Sequence, residues 1–483
     1  MALLLDRFSR VLRDDPHSPL VLSFAGRSWS AADLQQWACG LVARCEALRV
    51  PAGSPIVTAL GNRPEYIAVI LAGLRSGRPI LPADPGTTTA GLLALARSFG
   101  APVLVTPPSF MTGESTALPG GTRLSIAAGV EPQVFSDVGV LKLTSGSTGA
   151  PKAVAASADN MAHDVEQIVS AMGIRHDDVQ LGTIPLSHAY GLGNLVLPAL
   201  WQGTRVALRE GFVPQRLHED VRACGIRVWP AVPFMFEHLL AQPGPSIPSS
   251  LGLLISAGAP LSGRVLEQFH ARFDRKIHSF YGTSETGGIA FDGSDVVDGA
   301  RGVGHPLPHA RVSLRPVAGL DEHTAGRVHV AGPAVSPGYS AGTDASDFCG
   351  GGFLTGDLGR FEEDGRLVLT GRLSAFVNVA GRKVHPEEVA VHLREMPGVR
   401  DVRVMGVPSD SRGEQLVAIV VPAAAAPTLL QLRQFCSARL PPHKIPRVLV
   451  ITYAIPLDGR GKTDRRQLEA LVRNEIGGSL PGS

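Results

Sequence analysis

The spacing of apolar residues alternates between two periods along the first 260 residues. Short apolar runs predict buried strands at 55–60, 79–82, 102–106, 205–208, 227–229 and 251–256. Helical spacing between these runs predicts helices at 31–42, 66–74, 88–99, 159–172 and 233–240. Ser30 is placed to cap the first of these helices, and residues 107–136 are expected to form a polar loop. Strands that alternate with helices of this length predict an α/β domain with a largely parallel sheet.

The pattern changes near residue 300, where apolar and polar residues alternate between glycines. The segments 312–316, 326–331 and 366–370 therefore predict antiparallel strands. After Arg372 a new series of strands and helices begins. Strands are predicted at 399–406, 414–421 and 447–451, and helices at 387–396, 428–440 and 463–474. We expect an α/β protein: a large N-terminal domain (1–372) of α/β subdomains plus a β-rich subdomain, and a small C-terminal α+β domain (373–483).

Composition narrows the classes of protein that this pattern allows. The 483 residues are 44% hydrophobic and 18% charged, and the net charge of +2 gives no reason to expect nucleic acid or an anionic membrane as a partner. The five cysteines are scattered without a CxxC pair, which disfavours a disulfide framework or a zinc site and favours the cytoplasm. The longest apolar run, 66–74, is about half the length that a membrane span needs.

One stretch has a composition that suits polyphosphate rather than a core. Thr144–Lys152 reads TSGSTGAPK and offers backbone N–H groups, hydroxyls and one ammonium. A P-loop is excluded, because Ala150 and Pro151 separate Gly149 from Lys152 and Ala153 stands where the magnesium-binding hydroxyl belongs. A flexible surface loop is the alternative interpretation of this stretch taken alone.

Six further motifs follow in a fixed order: PLSHAYG (185–191), SAGAP (256–260), YGTSE (281–285), TGD (355–357), TGR (370–372) and LDGRGKTDR (457–465). With these motifs the chain resembles the acyl-adenylate-forming superfamily, which includes acyl-CoA synthetases, adenylation domains of nonribosomal peptide synthetases and luciferases. The resemblance runs from about residue 20 to residue 470. It implies an enzyme that uses ATP and Mg²⁺ to convert a carboxylate into an acyl-adenylate, with release of pyrophosphate.

The resemblance also implies which residues meet the nucleotide. The resemblance implies that the β- and γ-phosphates are bound by the loop residues Thr144, Ser145, Gly146, Ser147, Thr148 and Gly149, with support from Lys152. Further ATP contacts are implied for Gly258, Ala259, Tyr281, Gly282 and Thr283. Ser284 is expected to contact the α-phosphate and Glu285 to bind Mg²⁺. Asp357 and Arg372 are expected at the ribose, and Lys462 between the reacting carboxylate and the α-phosphate.

The acyl pocket and the acceptor are implied in less detail. His188, Tyr190, Val232, Gly287 and Gly288 are expected at an apolar pocket, with His188 either a gate or a structural wall. Residues 182–188 contain no acid to pair an α-ammonium, so an aryl or aliphatic carboxylate is favoured over an α-amino acid.

The resemblance places a hinge and a thiol tunnel at the start of the small domain. Ser374 stands at the hinge, where relatives carry Asp or Lys, and Gly381 beside a tunnel for the thiol of CoA or of a carrier-protein phosphopantetheine. The short spacing from Asp357 to Gly381 favours CoA. Two alternatives stay open: an adenylation enzyme that loads a separate carrier protein, and a catalytically silent binding relative. Retention of Glu285, Asp357 and Lys462 speaks against the silent relative.

Overall fold

The computed structural model describes most of the chain. The described residues are 2–23, 28–110, 115–144, 151–242, 247–297, 302–317, 325–340, 346–373, 377–379, 382–384, 386–409, 413–423, 425–438, 440, 442–457 and 463–476. They form two compact units, one made of residues 1–312 with 330–354 and the other of residues 313–329 with 355–483. The domain boundary expected after residue 372 stays a prediction.

Helices are found in both units. Their bounds are α1 Ala2–Asp14, α2 Ala31–Ala47, α3 Pro64–Ser76, α4 Thr89–Ser98, α5 Ala158–Met172, α6 Ala189–Gly191, α7 Leu197–Gln202, α8 Leu217–Cys224, α9 Pro233–Ala241, α10 Gly263–Phe273, α11 Pro386–Arg394, α12 Leu429–Ser437 and α13 Arg465–Ile476. A π-helical segment, Leu192–Val196, joins α6 to α7. In the part of the chain that the structure describes, every helix is too short or too polar to cross a bilayer.

The strands are numbered along the chain. Up to residue 231 they are β1 Pro19–Ser23, β2 Trp29–Ser30, β3 Ile56–Thr58, β4 Ile80–Pro82, β5 Val103–Thr106, β6 Ser115–Ala117, β7 Arg123–Ile126, β8 Val140–Thr144, β9 Lys152–Ala156, β10 Val179–Gly182, β11 Arg205–Leu208 and β12 Val228–Ala231. Next come β13 Leu253–Ser256, β14 Ile277–Thr283, β15 Gly287–Phe291, β16 Gly302–Pro306, β17 Arg311–Arg315, β18 Gly326–Ala331, β19 Gly338–Tyr339, β20 Phe348–Cys349 and β21 Gly352–Phe361. The last are β22 Leu367–Arg372, β23 Val377–Val379, β24 Arg382–Val384, β25 Val399–Ser409, β26 Gly413–Pro422 and β27 Val448–Ile451.

Two sheets form the larger unit. One runs in the order β19-β9-β8-β4-β3-β5-β7-β6, and β4, β3 and β5 are parallel to one another. The other contains β14-β13-β12-β10-β11-β1 in a continuous parallel arrangement. α3 packs between apolar neighbours along almost its whole length, and its residues from Pro64 to Leu74 are buried. The apolar run 66–74, predicted as a helix, is therefore buried inside the protein.

The smaller unit is built mainly on an antiparallel sheet. β24, β23, β26 and β25 are neighbours in that order, and β27 joins β26 in parallel. Two apolar clusters cover this sheet, one around Val402 and Leu432, the other around Val417 and Val472. The strands and helices predicted for the last 110 or so residues therefore correspond to one sheet and the two apolar clusters that cover it.

Most of the predicted elements are confirmed, and one prediction is wrong. Ser30 caps α2 in a capping box with Asp33, and Pro64 lies in the first turn of α3, as their positions in the sequence indicated. Residues 107–136 are not a plain polar loop, because β7 pairs with β5 and β6 pairs with β7. The polar residues of β6 belong to the edge strand of the sheet, whereas β7 lies between β5 and β6.

Candidate active site

Several of the predicted nucleotide and pocket residues of the larger unit lie at the carboxyl ends of the parallel strands β12, β13 and β14. β12, β13 and β14 pair in parallel, with Ala231 opposite Ser256 and Ser256 opposite Ser279. Val232, Gly258 and Ala259 follow the first two strand ends, and Gly258 adopts φ +83°. Chain segments that leave neighbouring parallel strands at the same edge form the usual ligand crevice of α/β sheets. The fold therefore brings together motifs that are up to 50 residues apart in sequence.

Glu285 lies in the turn of a tight hairpin. β14 and β15 are antiparallel, with Thr283 opposite Gly287, so that Ser284, Glu285 and Thr286 form the connection. The buried Thr286 donates from its hydroxyl to the Gly287 carbonyl at 3.0 Å, and its N–H donates to the Thr283 hydroxyl at 3.3 Å. These bonds fix the turn from inside while Ser284 and Glu285 stay partly exposed.

A buried carboxylate holds the far side of the hairpin. Asp164, on α5, accepts the Gly288 N–H at 2.8 Å, and Gln167 donates to the Gly288 carbonyl at 3.0 Å. Burial raises the pKa of Asp164, and the neighbouring Lys142 ammonium opposes this shift. A side chain on Gly287 would come within 2.6 Å of Asp164 Oδ2. The packing of Asp164 thus requires a glycine at 287, whereas a side chain at 288 would collide with Leu307 and Phe280. The predicted place of the two glycines in the acyl pocket stays a prediction.

Glu285 has two neighbours that the motifs did not reveal. The Tyr339 hydroxyl donates to Glu285 Oε1 at 3.1 Å, and Lys142 Nζ donates to the Ser284 carbonyl at 3.2 Å. Burial is the main reason why the pKa of Tyr339 is raised, and the Glu285 carboxylate adds to the shift. Burial also lowers the pKa of Lys142, against the attraction of Asp164 and Glu285. Lys142 lies two residues before the phosphate-binding loop, which was its only indication in the sequence, and Tyr339 lies in none of the motifs.

The phosphate-binding loop connects two antiparallel strands. Thr144, at the end of β8, pairs with Lys152, at the start of β9. Residues 145–150, which include Ser145, Gly146, Ser147, Thr148 and Gly149, lie outside the described residues, and their predicted phosphate contacts stay predictions. Lys152 Nζ lies 5.6 Å from the centre of the Tyr339 ring. The base of the loop is therefore next to the tyrosine that bonds Glu285.

The predicted pocket residues His188 and Tyr190 follow the carboxyl end of β10. The Tyr190 hydroxyl donates to the Ile255 carbonyl at 3.3 Å, its ring centre lies 5.9 Å from that of Phe280, and burial raises its pKa. His188 Nε2 lies 3.9 Å from Asp84 Oδ2. Asp84 follows β4 in the other sheet of this unit, so the segment 182–188 lacks an acid in sequence but has one beside it in space.

Asn62 holds the segment that carries His188. Its Nδ2 donates to the carbonyls of Ile184 (3.0 Å) and Arg209 (2.8 Å), and its Oδ1 accepts the Leu186 N–H at 3.0 Å. Asn62 belongs to the loop after β3 and has no counterpart among the predicted site residues. An asparagine before Arg-Pro-Glu reads as an ordinary helix-entry residue, and only the tertiary contacts reveal its role.

The smaller unit contains the predicted ribose pair. Asp357 on β21 is directly opposite Arg372 on β22, and Arg372 Nε lies 2.8 Å from Asp357 Oδ1. Asp357 is mostly buried, whereas the Arg372 side chain is 66% exposed. The Thr355 hydroxyl accepts the Asp357 N–H at 3.1 Å and donates to the Val328 carbonyl at 2.9 Å. A buried, fixed carboxylate suits vicinal hydroxyls, and the ribose assignment stays a prediction.

The remaining predicted residues of the smaller unit are Lys462, Ser374 and Gly381, and all three lie outside the described residues. The segment that contains Lys462 starts and ends at a bridge between Leu457 and Thr463. The one that contains Gly381 joins Val379 and Arg382, which pair across β23 and β24. The predicted roles of the three residues stay predictions.

The donor set around Glu285 fits magnesium. Mg²⁺ prefers oxygen ligands and is usually held by one or two carboxylates together with substrate phosphates. Glu285 offers one partly exposed carboxylate, positioned by Tyr339 at the edge where the phosphate-binding loop starts. Within the described ranges no group of three or more His, Cys, Asp or Glu side chains forms a metal cage. Glu285 would thus be the residue that holds a magnesium ion at this edge.

Comparison with known proteins identifies the family of this chain. The AMP-binding enzyme model matches residues 8–340, and the AMP-binding enzyme C-terminal domain matches residues 388–462. This chain therefore belongs to the AMP-binding enzyme family. The predicted family, fold class and enzyme class, an AMP-forming acid–thiol ligase of the acyl-CoA synthetase type, are confirmed.

Individual relatives are distant but cover most of the chain. A probable CoA ligase, CCL9, of Humulus lupulus is 28% identical and the alignment covers 86% of each chain. A feruloyl-CoA synthase of Amycolatopsis sp is 27% identical over 97% of this chain and 98% of the relative. The crystal structure of ATP-bound MatB from Rhodopseudomonas palustris superposes with a TM-score of 0.85 at 25% identity, over 98% of this chain and 99% of that one.

Proposed function

We propose that this enzyme joins an aryl or aliphatic carboxylic acid to coenzyme A in two steps, with consumption of ATP and release of AMP and pyrophosphate. The observation that carries the proposal is the Glu285 hairpin at the carboxyl edge of the parallel sheet, next to the base of the phosphate-binding loop. The CoA ligases among the relatives support the same overall reaction.

In the first step, an oxygen of the substrate carboxylate attacks the α-phosphorus of ATP. The bond from the α-phosphorus to the bridging oxygen breaks, and pyrophosphate leaves with the electron pair. Two anions must approach each other, so the chain has to supply positive charge and hold the reacting groups in line. We assign this to Lys462, to the N–H groups and hydroxyls of 144–149, and to Ser284. A bound Mg²⁺ at Glu285 would neutralise phosphate charge.

In the second step, the thiol sulfur attacks the acyl carbon of the adenylate. A carbon–sulfur bond forms, AMP leaves with the electron pair of the carbon–oxygen bond, and the thiol proton passes to solvent or a base. Asp357 and Arg372 hold the ribose of the leaving AMP in this proposal. The tunnel for the thiol passes Gly381, where the lack of a side chain leaves room for a pantetheine arm.

The acyl pocket is proposed to accept an apolar acid without an α-ammonium group. Tyr190, Phe280 and Val232 supply apolar and aromatic surface, and the Tyr190 hydroxyl is occupied by the Ile255 carbonyl. The activity of the feruloyl-CoA synthase relative favours an aryl acid. Asp84 beside His188 is an acidic group that the sequence argument did not weigh, and its presence makes amino acids a necessary part of the test.

The decisive experiment measures pyrophosphate release over a panel of aryl, aliphatic and α-amino acids. Each acid is assayed alone, with CoA and with a phosphopantetheinyl carrier protein, and thioester products are identified by mass spectrometry. We expect acid-dependent release and an acyl-CoA product. Glu285→Gln should abolish release, whereas the exposed Glu267→Gln on α10 is the matched control.

The outcomes separate the candidate functions. Thioester formation on the carrier protein and not on CoA would replace the proposal with a loading enzyme. ATP binding without pyrophosphate release for any acid would favour the silent relative. Metal dependence is read in the same assay by replacing Mg²⁺ with EDTA, which should stop release. We also propose a cytoplasmic location, which the scattered cysteines of the sequence favour.

A further inference from the structure

Lys142 and Tyr339 occupy the same row of one sheet. Lys142 on β8 is directly opposite Val154 on β9, and Val154 is directly opposite Tyr339 on β19. Directly opposite residues of antiparallel strands project to the same face of a sheet. The register therefore directs an ammonium group and a phenol that are about 200 residues apart in sequence toward the same face of the sheet.

Both groups contact the turn that carries the proposed metal ligand. Lys142 Nζ donates to the backbone carbonyl of Ser284 at 3.2 Å, and the Tyr339 hydroxyl donates to the carboxylate of Glu285 at 3.1 Å. One bond holds the backbone of the turn and the other orients its side chain. Together they limit both the position and the rotation of Glu285.

The bond from Lys142 to the Ser284 carbonyl requires the burial of an ammonium group, which has a high free-energy cost. The residue is 9% exposed, and removing an ammonium from water costs far more than one hydrogen bond returns unless a counter-charge is near. Asp164, itself 6% exposed, supplies that charge from α5 and also accepts the Gly288 N–H on the other arm of the hairpin. A neutral side chain would pack here at lower free-energy cost, so the presence of two buried charges indicates a role beyond stability.

We propose that Lys142 and Tyr339 are positioning residues that hold the Ser284–Glu285 turn in the geometry needed to bind magnesium-complexed ATP, with Asp164 balancing the charge of Lys142. This inference rests on the proposed function, because it takes Glu285 as the metal ligand. Mutation of a side chain that orients a metal ligand typically lowers metal affinity ten- to a hundredfold. Neither residue touches substrate in this account; both act through the turn.

The test compares ATP affinity with and without Mg²⁺ by calorimetry, which does not depend on turnover. The ratio of the two affinities is the magnesium gain. Tyr339→Phe removes one hydroxyl and keeps the ring. Lys142→Met combined with Asp164→Asn removes both buried charges, and asparagine keeps the Oδ1 acceptor for Gly288. We expect the magnesium gain to fall about tenfold in Tyr339→Phe and about tenfold in the double variant. We also expect Lys142→Met alone to lower the Tm and the double variant to restore it.

The chain offers a matched control for the lysine. Lys276 is also buried, bonds the Ser294 carbonyl at 2.6 Å and pairs with Asp292 at 2.8 Å, but it precedes β14 and lies at the opposite end of that strand from Ser284. Eight residues of extended chain separate the two positions by about 25 Å. Lys276→Met combined with Asp292→Asn should keep the full magnesium gain. Tyr66→Phe, which removes a buried hydroxyl in α3, is the control for Tyr339→Phe.

Three results would overturn the inference. They are a full magnesium gain in the double variant once its Tm is restored, an equal loss in the Lys276 control, and no magnesium gain in the wild type. Failure of the proposed function looks different. A wild type that shows the magnesium gain but releases no pyrophosphate with any acid would refute the ligase reaction, while the variants would still decide the role of Lys142 and Tyr339.

Discussion

Replacing Gly287 by alanine should destabilise the larger unit because of one identifiable collision. Gly287 has φ +68°, in the left-handed region, and an added Cβ would come within 2.6 Å of Asp164 Oδ2 and closer still to Oδ1. Asp164 cannot move freely, since it accepts the Gly288 N–H and faces Lys142. The cost of the substitution therefore has two parts, backbone strain and overpacking.

Gly77 separates these two parts. It caps α3 with φ +63°, and a Cβ added there would have nothing within 4 Å. Gly77→Ala should thus lower the free energy of unfolding only by the left-handed strain, about 1–2 kcal/mol. Gly287→Ala should lower it by the same strain plus about 1–3 kcal/mol for overpacking. We expect a difference of about 1–3 kcal/mol between the two variants.

Urea unfolding monitored by tryptophan fluorescence measures this difference. All four tryptophans, Trp29, Trp37, Trp201 and Trp229, belong to the larger unit. Gly287→Ala should also slow adenylation, because Glu285 lies two residues away in the same hairpin, whereas Gly77→Ala should not. Equal destabilisation by the two substitutions would refute the collision with Asp164, and normal adenylation in Gly287→Ala would refute the link between hairpin geometry and catalysis.

Four further predictions concern other parts of the site. Asn62→Ala removes the amide that bonds three carbonyls and one N–H, so we expect a loss of about 1–3 kcal/mol in urea unfolding and a raised KM for the acid, with an unchanged KM for CoA as the check on specificity. Lys462→Ala should slow adenylation by on the order of a hundredfold or more and spare thioester formation from supplied acyl-AMP; equal loss of both steps would contradict its assignment. Gly381→Leu should do the reverse, keeping acid-dependent pyrophosphate exchange and blocking the thiol step, and wild-type rates in both assays would remove the tunnel from this position. Asp357→Asn should weaken ATP binding more than it weakens pyrophosphate binding, which calorimetry with each ligand measures, and an equal effect on the two would argue against a ribose contact.

The sequence alone was sufficient where the chemistry lies within a short run of residues. The composition of the loop 144–152 indicates phosphate without knowledge of the fold. The segments 281–285 and 355–357 belong to the ordered motifs that carry the resemblance to the family, and that resemblance implies their metal and ribose roles. The alternation of apolar runs with helical spacing likewise predicts a parallel α/β sheet, because local periodicity reports which face of an element is buried. Family, fold class and enzyme class follow from these features and are confirmed.

Tertiary structure decided the contacts that join these motifs. Lys142 and Tyr339 are about 200 residues apart in sequence, and only the register of β8, β9 and β19 places both beside Glu285. Asn62 and Asp84 follow strands of one sheet and meet a segment that follows a strand of the other. Strand pairing and register depend on the burial of whole faces rather than on any single residue. For this reason the sequence indicates the reacting groups, whereas the side chains that position them become evident only in the fold.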